Sequence, residues 1–82
     1  MQTFLEYVVK GLVSKPELVD IRPVDQNGAT IYELRMDPDD VGRVIGRRGV
    51  TISAIRSLLE SGSAKQGKRS RVEIVEEDGS AN

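Results

Sequence analysis

The chain has 82 residues, 38% of them hydrophobic, a formal net charge of −1, and neither cysteine nor histidine. That length supports one small core and not two, and the missing residue types exclude disulfides, thiolate chemistry, the usual zinc ligand sets and the commonest general base. Apolar runs such as Val8-Val9 and Leu58-Leu59 fall far short of the roughly 20 residues that span a bilayer, and Met-Gln-Thr-Phe-Leu-Glu lacks the features of a signal peptide, so the expectation is a soluble, cytoplasmic protein with no membrane partner.

In chain order, Leu5, Val8, Val9 and Leu12 recur at the spacing of an amphipathic helix over about residues 3–13, ended by Pro16. Leu18 to Val24 reads as a strand, with Val19 and Ile21 alternating against Asp20 and Arg22. Asn27-Gly28 is a strong hairpin signal, because both residues tolerate positive φ. The return strand, Ala29 to Met36, sets Tyr32, Leu34 and Met36 on one face and Ile31, Glu33 and Arg35 on the other. Asp37-Pro38-Asp39-Asp40 is a helix start: Asp37 caps, Pro38 suits the first position, and the next two acids sit where the helix dipole favours negative charge. Capping accounts for these carboxylates without a metal.

A short helix, Val41 to Ile45, stops at Gly46, and a longer one resumes near Val50 or Thr51 with Ile52, Ile55, Leu58 and Leu59 on one stripe. It is expected to end before Ser61-Gly62-Ser63, leaving residues 61–70 as a flexible basic loop. Arg71 to Glu76 then alternates as a last strand, and residues 78–82 form a polar tail expected to be disordered. The resulting order, α-β-β-α-α-β, predicts a two-layer α+β fold with three helices covering a three-stranded mixed sheet, the last strand free to lie either way.

Charge is unevenly distributed. From Arg43 to Arg71 there are eight basic residues and one acid, Glu60, whereas the rest of the chain holds twelve acids and four basic residues. A basic face of this kind suits phosphates. Gly46-Arg47-Arg48-Gly49 places two arginines on a glycine-flanked corner between helices, with no core role to explain them. It is neither a Walker loop, which needs a lysine after a longer glycine spacing, nor a dinucleotide fingerprint, which follows a strand.

The stretch VGRVIGRRGVTISAIRSLL resembles the Val-Ile-Gly-x-x-Gly signature of KH domains, in which the Gly-x-x-Gly loop clamps about four nucleotides by their backbone. The element order resembles the type II, prokaryotic arrangement, and an isolated domain of this length is similar to the KhpA group of small stand-alone bacterial RNA-binding proteins. The resemblance implies a single KH domain over residues 1–77. In it Gly46 and Gly49 match the paired glycines, and Arg47 and Arg48 face the sugar-phosphate backbone. Val44 and Ile45 match the apolar pair before the loop, one of them facing the groove, and Ile52 is a candidate for the groove floor. Arg43 and Arg56 are candidates for further phosphate contacts, and Lys65, Lys68, Arg69 and Arg71 for the opposite wall.

The implied ligand is single-stranded RNA, although backbone clamping alone also suits single-stranded DNA. The implied assembly is a homodimer, or a heterodimer with a larger KH-containing RNA-binding protein. The only aromatics, Phe4, Tyr7 and Tyr32, lie in the first helix and second strand, so a stacking platform is absent and binding is expected to be weak. No cofactor, metal or catalytic residue is expected, since no acid-base pair is convincing. A scaffold that uses the same fold for dimerisation is the alternative reading.

Overall fold

The computed structural model describes residues 1–76. Six principal elements follow the expected order: α1 (Gln2–Leu12), β1 (Asp20–Gln26), β2 (Ala29–Arg35), α2 (Val41–Ile45), α3 (Val50–Lys65) and β3 (Ser70–Ile74). Single 3-10 turns stand at Pro16–Leu18, Pro38–Asp40 and Arg47–Gly49.

Asn27 and Gly28, at φ 53° and 83°, fold β2 back on β1 in antiparallel register, with Ile21 opposite Leu34 and Gln26 opposite Ala29. β1 is an edge strand, the position that tolerates Pro23. The last strand takes the parallel option: β3 lies on the other side of β2, with Thr30 opposite Ser70 and Leu34 opposite Ile74. A parallel neighbour cannot be reached by a tight turn, and the α2–α3 pair supplies the crossover.

Every element contributes to one core. Leu5 and Val9 from α1, Ile21, Leu34 and Val72 from the three strands, Val44 from α2, and Ile52, Ile55 and Leu59 from α3 are all buried. The strand contributors alternate with exposed or half-exposed residues, which fixes one sheet face against the helices and leaves the other open. No helix among the described residues is long and apolar enough to cross a membrane.

The structure corrects four expectations. Leu18 is half exposed in a 3-10 turn, and β1 starts later, at Asp20, and runs through to Gln26. Leu58 is off the buried stripe, with 60% of its surface exposed, while Leu59 is fully buried. β3 begins at Ser70, one residue early, and ends at Ile74. The fourth correction concerns residues 61–70, where α3 continues for five residues past Glu60 before a tight turn. Ser61, Gly62 and Ser63 are poor helix formers, glycine by about 1 kcal/mol relative to alanine, but packing overrides that preference. Gly62 lies so close to Met1 that an added Cβ would come within 2.9 Å of the methionine Cε. Ser63 is 1% exposed, and its hydroxyl donates to the Ser70 hydroxyl at 2.7 Å, joining the helix end to the start of β3. Gly67, at φ 71°, then closes the helix: its N–H donates to the Ala64 carbonyl at 3.0 Å and the Lys68 N–H donates to the Ser63 carbonyl at 2.9 Å. These are the two bonds of a Schellman cap. The expected tail at 78–82 and Glu77, the last residue of the expected domain, lie outside the described residues.

The phase of α3 can be checked by chemical denaturation. Leu59→Ala should cost about 2–5 kcal/mol through loss of buried surface and the cavity left behind, whereas Leu58→Ala should stay within about 0.5 kcal/mol.

Candidate nucleic-acid interface

The corner between α2 and α3 is built by three positive-φ residues among four. Gly46 adopts φ 76°, Arg48 φ 56° and Gly49 φ 77°. The Gly46 N–H closes α2 on the Gly42 carbonyl at 2.9 Å, and the Gly49 N–H returns to the Gly46 carbonyl at 3.1 Å. The two glycines serve for different reasons. A Cβ on Gly46 would collide with the Thr51 side chain and approach its backbone nitrogen to 2.9 Å, so that position needs both the conformation and the space. A Cβ on Gly49 would meet nothing closer than the Ile52 Cγ2 at 4.0 Å, so only the left-handed backbone favours glycine there. Arg48 holds that same region without being glycine, and both arginines are exposed at the tip.

Behind the corner, Asp37 caps as expected, accepting from the Asp39 N–H at 2.8 Å. Asp40 does not serve only as a charge at the helix start. It is 1% exposed and reaches back to the end of α1, where its carboxylate accepts from the Ser14 N–H at 3.0 Å, the Ser14 hydroxyl at 2.9 Å and the Lys15 N–H at 3.1 Å. The Ser14 backbone donor is foremost in holding its carboxyl below the ordinary range, against the opposing effect of burial. Asp37 is lowered as well, first by the Asp39 N–H and then by Lys15 at 3.2 Å, and the same hydrogen bond raises Lys15. These carboxylates thus seat α2 against the segment after α1.

The ion pairs divide the cations into two groups. Lys10 pairs with Glu6, Lys15 with Asp37, Arg22 with Asp20, Arg35 with Glu33 and Arg43 with Asp40. Arg47, Arg48, Arg56, Lys65, Lys68, Arg69 and Arg71 make no ion pair among the described residues. Every cation outside the basic segment is therefore matched by an acid of the same molecule, and within that segment, among the described residues, only Arg43 is.

Two cavities run along the seam between α3 and the edge strand β3. One, of about 340 Å³, is lined by Arg56, Glu60, Arg71, Val72 and Glu73. The other, of about 250 Å³, is lined by Glu60, Ala64, Lys68, Arg69, Ser70 and Arg71. No aromatic side chain lines either. The Schellman cap and the Ser63–Ser70 bond hold Lys68 and Arg69 at this seam, so the expected second wall is a fixed turn.

The other expected site residues have distinct places. Val44 is fully buried and Ile52 is 6% exposed, both in the core beneath the corner, whereas Ile45 keeps exposed surface. Of the apolar pair before the loop, Ile45 is thus the one with surface to offer a ligand. Arg43 is committed to Asp40 at 3.3 Å. Lys65 is exposed at the end of α3 and lines neither seam cavity. Sequence reasoning missed Glu60 and Ala64 as seam residues. The signal was available, since Arg56, Glu60 and Ala64 follow at i, i+4 and i+8 on one helix face.

A Gly-x-x-Gly corner between two helices, packed on a three-stranded mixed sheet in α-β-β-α-α-β order, defines a KH domain. More narrowly, the chain belongs to the KhpA/KhpB KH-domain family, whose profile matches residues 2–74. It is 44% identical over 77 residues to the RNA-binding protein KhpA of Chlamydia trachomatis, covering 94% of this chain and 99% of that one. It is 42% identical to the KhpA of Borreliella burgdorferi, covering 88% of each, and 37% identical to that of Clostridium perfringens, covering 92% of this chain and all of the relative. No solved structure matches the chain.

Two measurements check this geometry. Gly46→Ala should lower the melting temperature clearly more than Gly49→Asn, because asparagine tolerates the left-handed region while Gly46 also lacks room. A group whose folded-state pKa is depressed gives stability that is present above its unfolded value and lost as pH falls through the folded value. Melting temperature should therefore fall as pH drops through and below the ordinary aspartate range, and Asp40→Asn should be less stable at neutral pH with a shallower acid decline.

Proposed function

We propose that the chain binds single-stranded RNA as one KH module over residues 1–77, with the Gly46–Gly49 corner clamping the backbone of about four nucleotides. The reading rests above all on the seven cations, from Arg47 to Arg71, that make no ion pair among the described residues. Elsewhere the protein neutralises its own cations, so these are the charges left to meet phosphates. Arg47 and Arg48 supply charge at the tip, Gly49 lets a strand approach, and the α3–β3 seam receives bases beside Arg56, Arg71, Lys68 and Arg69. The relatives' name, RNA-binding protein, supports the same ligand.

The mechanism is binding without chemistry, in the cytoplasm and in post-transcriptional regulation. Phe4 and Tyr32 are packed against the core, Tyr7 is exposed on α1, and no aromatic lines either seam cavity, so the seam itself offers no stacking of roughly 1–3 kcal/mol per base. Weak contact with a few nucleotides gains most from a second linked site acting at high effective concentration. The protein accordingly works as a homodimer, or as a heterodimer with a larger KH-containing RNA-binding protein.

Arg47→Asp with Arg48→Asp should leave thermal stability nearly unchanged and abolish RNA binding by fluorescence anisotropy; undiminished binding would sink the clamp. For the unmodified protein, the logarithm of affinity should fall with the logarithm of salt at a slope of about −0.7 per phosphate contacted. A parallel titration with DNA of the same sequence reads whether the ribose hydroxyl is recognised.

A further inference from the structure

The basic seam does not end at the turn before β3. Arg69 and Arg71 also line a third cavity, of about 230 Å³, formed with Gln26, Asn27, Ala29 and Ile31. This cavity lies on the open face of the sheet. Ile31 and Arg71 are register partners, and each precedes a core-facing residue, Tyr32 and Val72, so both side chains point away from the helices. Because β3 is an edge strand, the long Arg71 side chain borders space on both sides of it. Ile31 and Ala29 are half-buried, Gln26 and Asn27 contribute side-chain amides at the hairpin, and the two guanidiniums make no ion pair among the described residues. Farther along the same face Glu33 and Glu73 are register partners, so acidic charge bounds the basic area.

We propose that this hairpin-side cavity is an additional nucleotide subsite on the same strand. On leaving the α3–β3 seam the strand rounds the edge at Arg69 and Arg71 and seats one further nucleotide against Ile31. The arginines meet its phosphate, and the Gln26 and Asn27 amides, which both donate and accept, meet its base or ribose. The inference rests on the RNA-binding reading above and extends it to the opposite face of the sheet. The cavity's size favours one unit of a polymer over a free ligand, since pockets that enclose a whole ligand run to about 300–1,000 Å³. The sharp bend selects a single strand, because duplex DNA, for one, stays stiff over about 150 base pairs.

The test compares oligouridylate RNAs of about five and about ten nucleotides by anisotropy on the full chain. The longer RNA should bind several-fold more tightly. Gln26→Glu with Ala29→Glu should remove that gain while leaving affinity for the shorter RNA within about twofold. Backbone amide NMR signals of Ala29 and Ile31 should shift with the longer RNA and not with the shorter. If the double variant fails to fold, Gln26→Glu alone, at an exposed position, carries the same comparison. A length gain that survives the acidic substitutions, or no gain in the unmodified protein, overturns the subsite. Loss of binding to both lengths on Arg47→Asp with Arg48→Asp supports the clamp, so a failure of the clamp is read separately from a failure of the subsite.

Discussion

Because β3 pairs parallel to β2, the chain leaving β2 must travel back along the sheet before it can start β3, and α2 and α3 make that journey. The site follows from this constraint. α3 spans about 24 Å at 1.5 Å per residue, so the two basic clusters that flank it, Arg47-Arg48 and Lys68-Arg69, are held at its opposite ends. Arg56 falls between them on the helix, and Arg71 borders the same seam from the edge strand. An antiparallel last strand would have allowed a tight turn and no such spacing. The core residues of α3, Ile52, Ile55 and Leu59, hold the helix against the sheet and keep the distance fixed.

Electrostatics adds a second layer to that geometry. The net charge of −1 conceals a molecule in which acids outnumber the bases and pair with them over one part, and bases are left over in another. Asp40 shows how the matching was arranged: one buried carboxylate satisfies two backbone donors, a hydroxyl and Arg43, and so spends negative charge on architecture away from the tip. A buried carboxylate is favourable only when hydrogen-bonded in this way. The overall acidity also limits indiscriminate attraction to polyanions, since the summed field, and not only the local patch, steers association.

What the sequence revealed follows from the range of the physics involved. The Asn27-Gly28 hairpin, the Asp37-Pro38 helix start and the Gly46 break were legible because each is decided within about four residues. The end of α3 was not, because Gly62 and Ser63 become good helix positions only once Met1 and Ser70 are beside them. Asp40 stands at the helix start as expected, but its second role was hidden for the same reason, its partners Ser14 and Lys15 lying far back in the chain. Within the site, the charged corner could be read directly. Which of Val44 and Ile45 retains surface, and whether Lys68 and Arg69 stand on a loop or a capped turn, depended on contacts that no local pattern encodes. Leu58 and Leu59 make the point most sharply, since an apolar stripe can hold two adjacent residues, as Val8 and Val9 do on α1, and periodicity alone did not show that only Leu59 of the leucine pair is buried.

Arg48 carries a consequence of a different kind. It occupies a left-handed conformation that costs a non-glycine residue about 1–2 kcal/mol, in a chain flanked by glycines that adopt it freely. Its guanidinium makes no ion pair among the described residues in return. The fold therefore accepts strain at a residue whose exposed side chain does little to hold it together. Selection for thermal endurance alone would favour glycine at this position, and variants improved in that way would lose half the charge at the tip while gaining robustness.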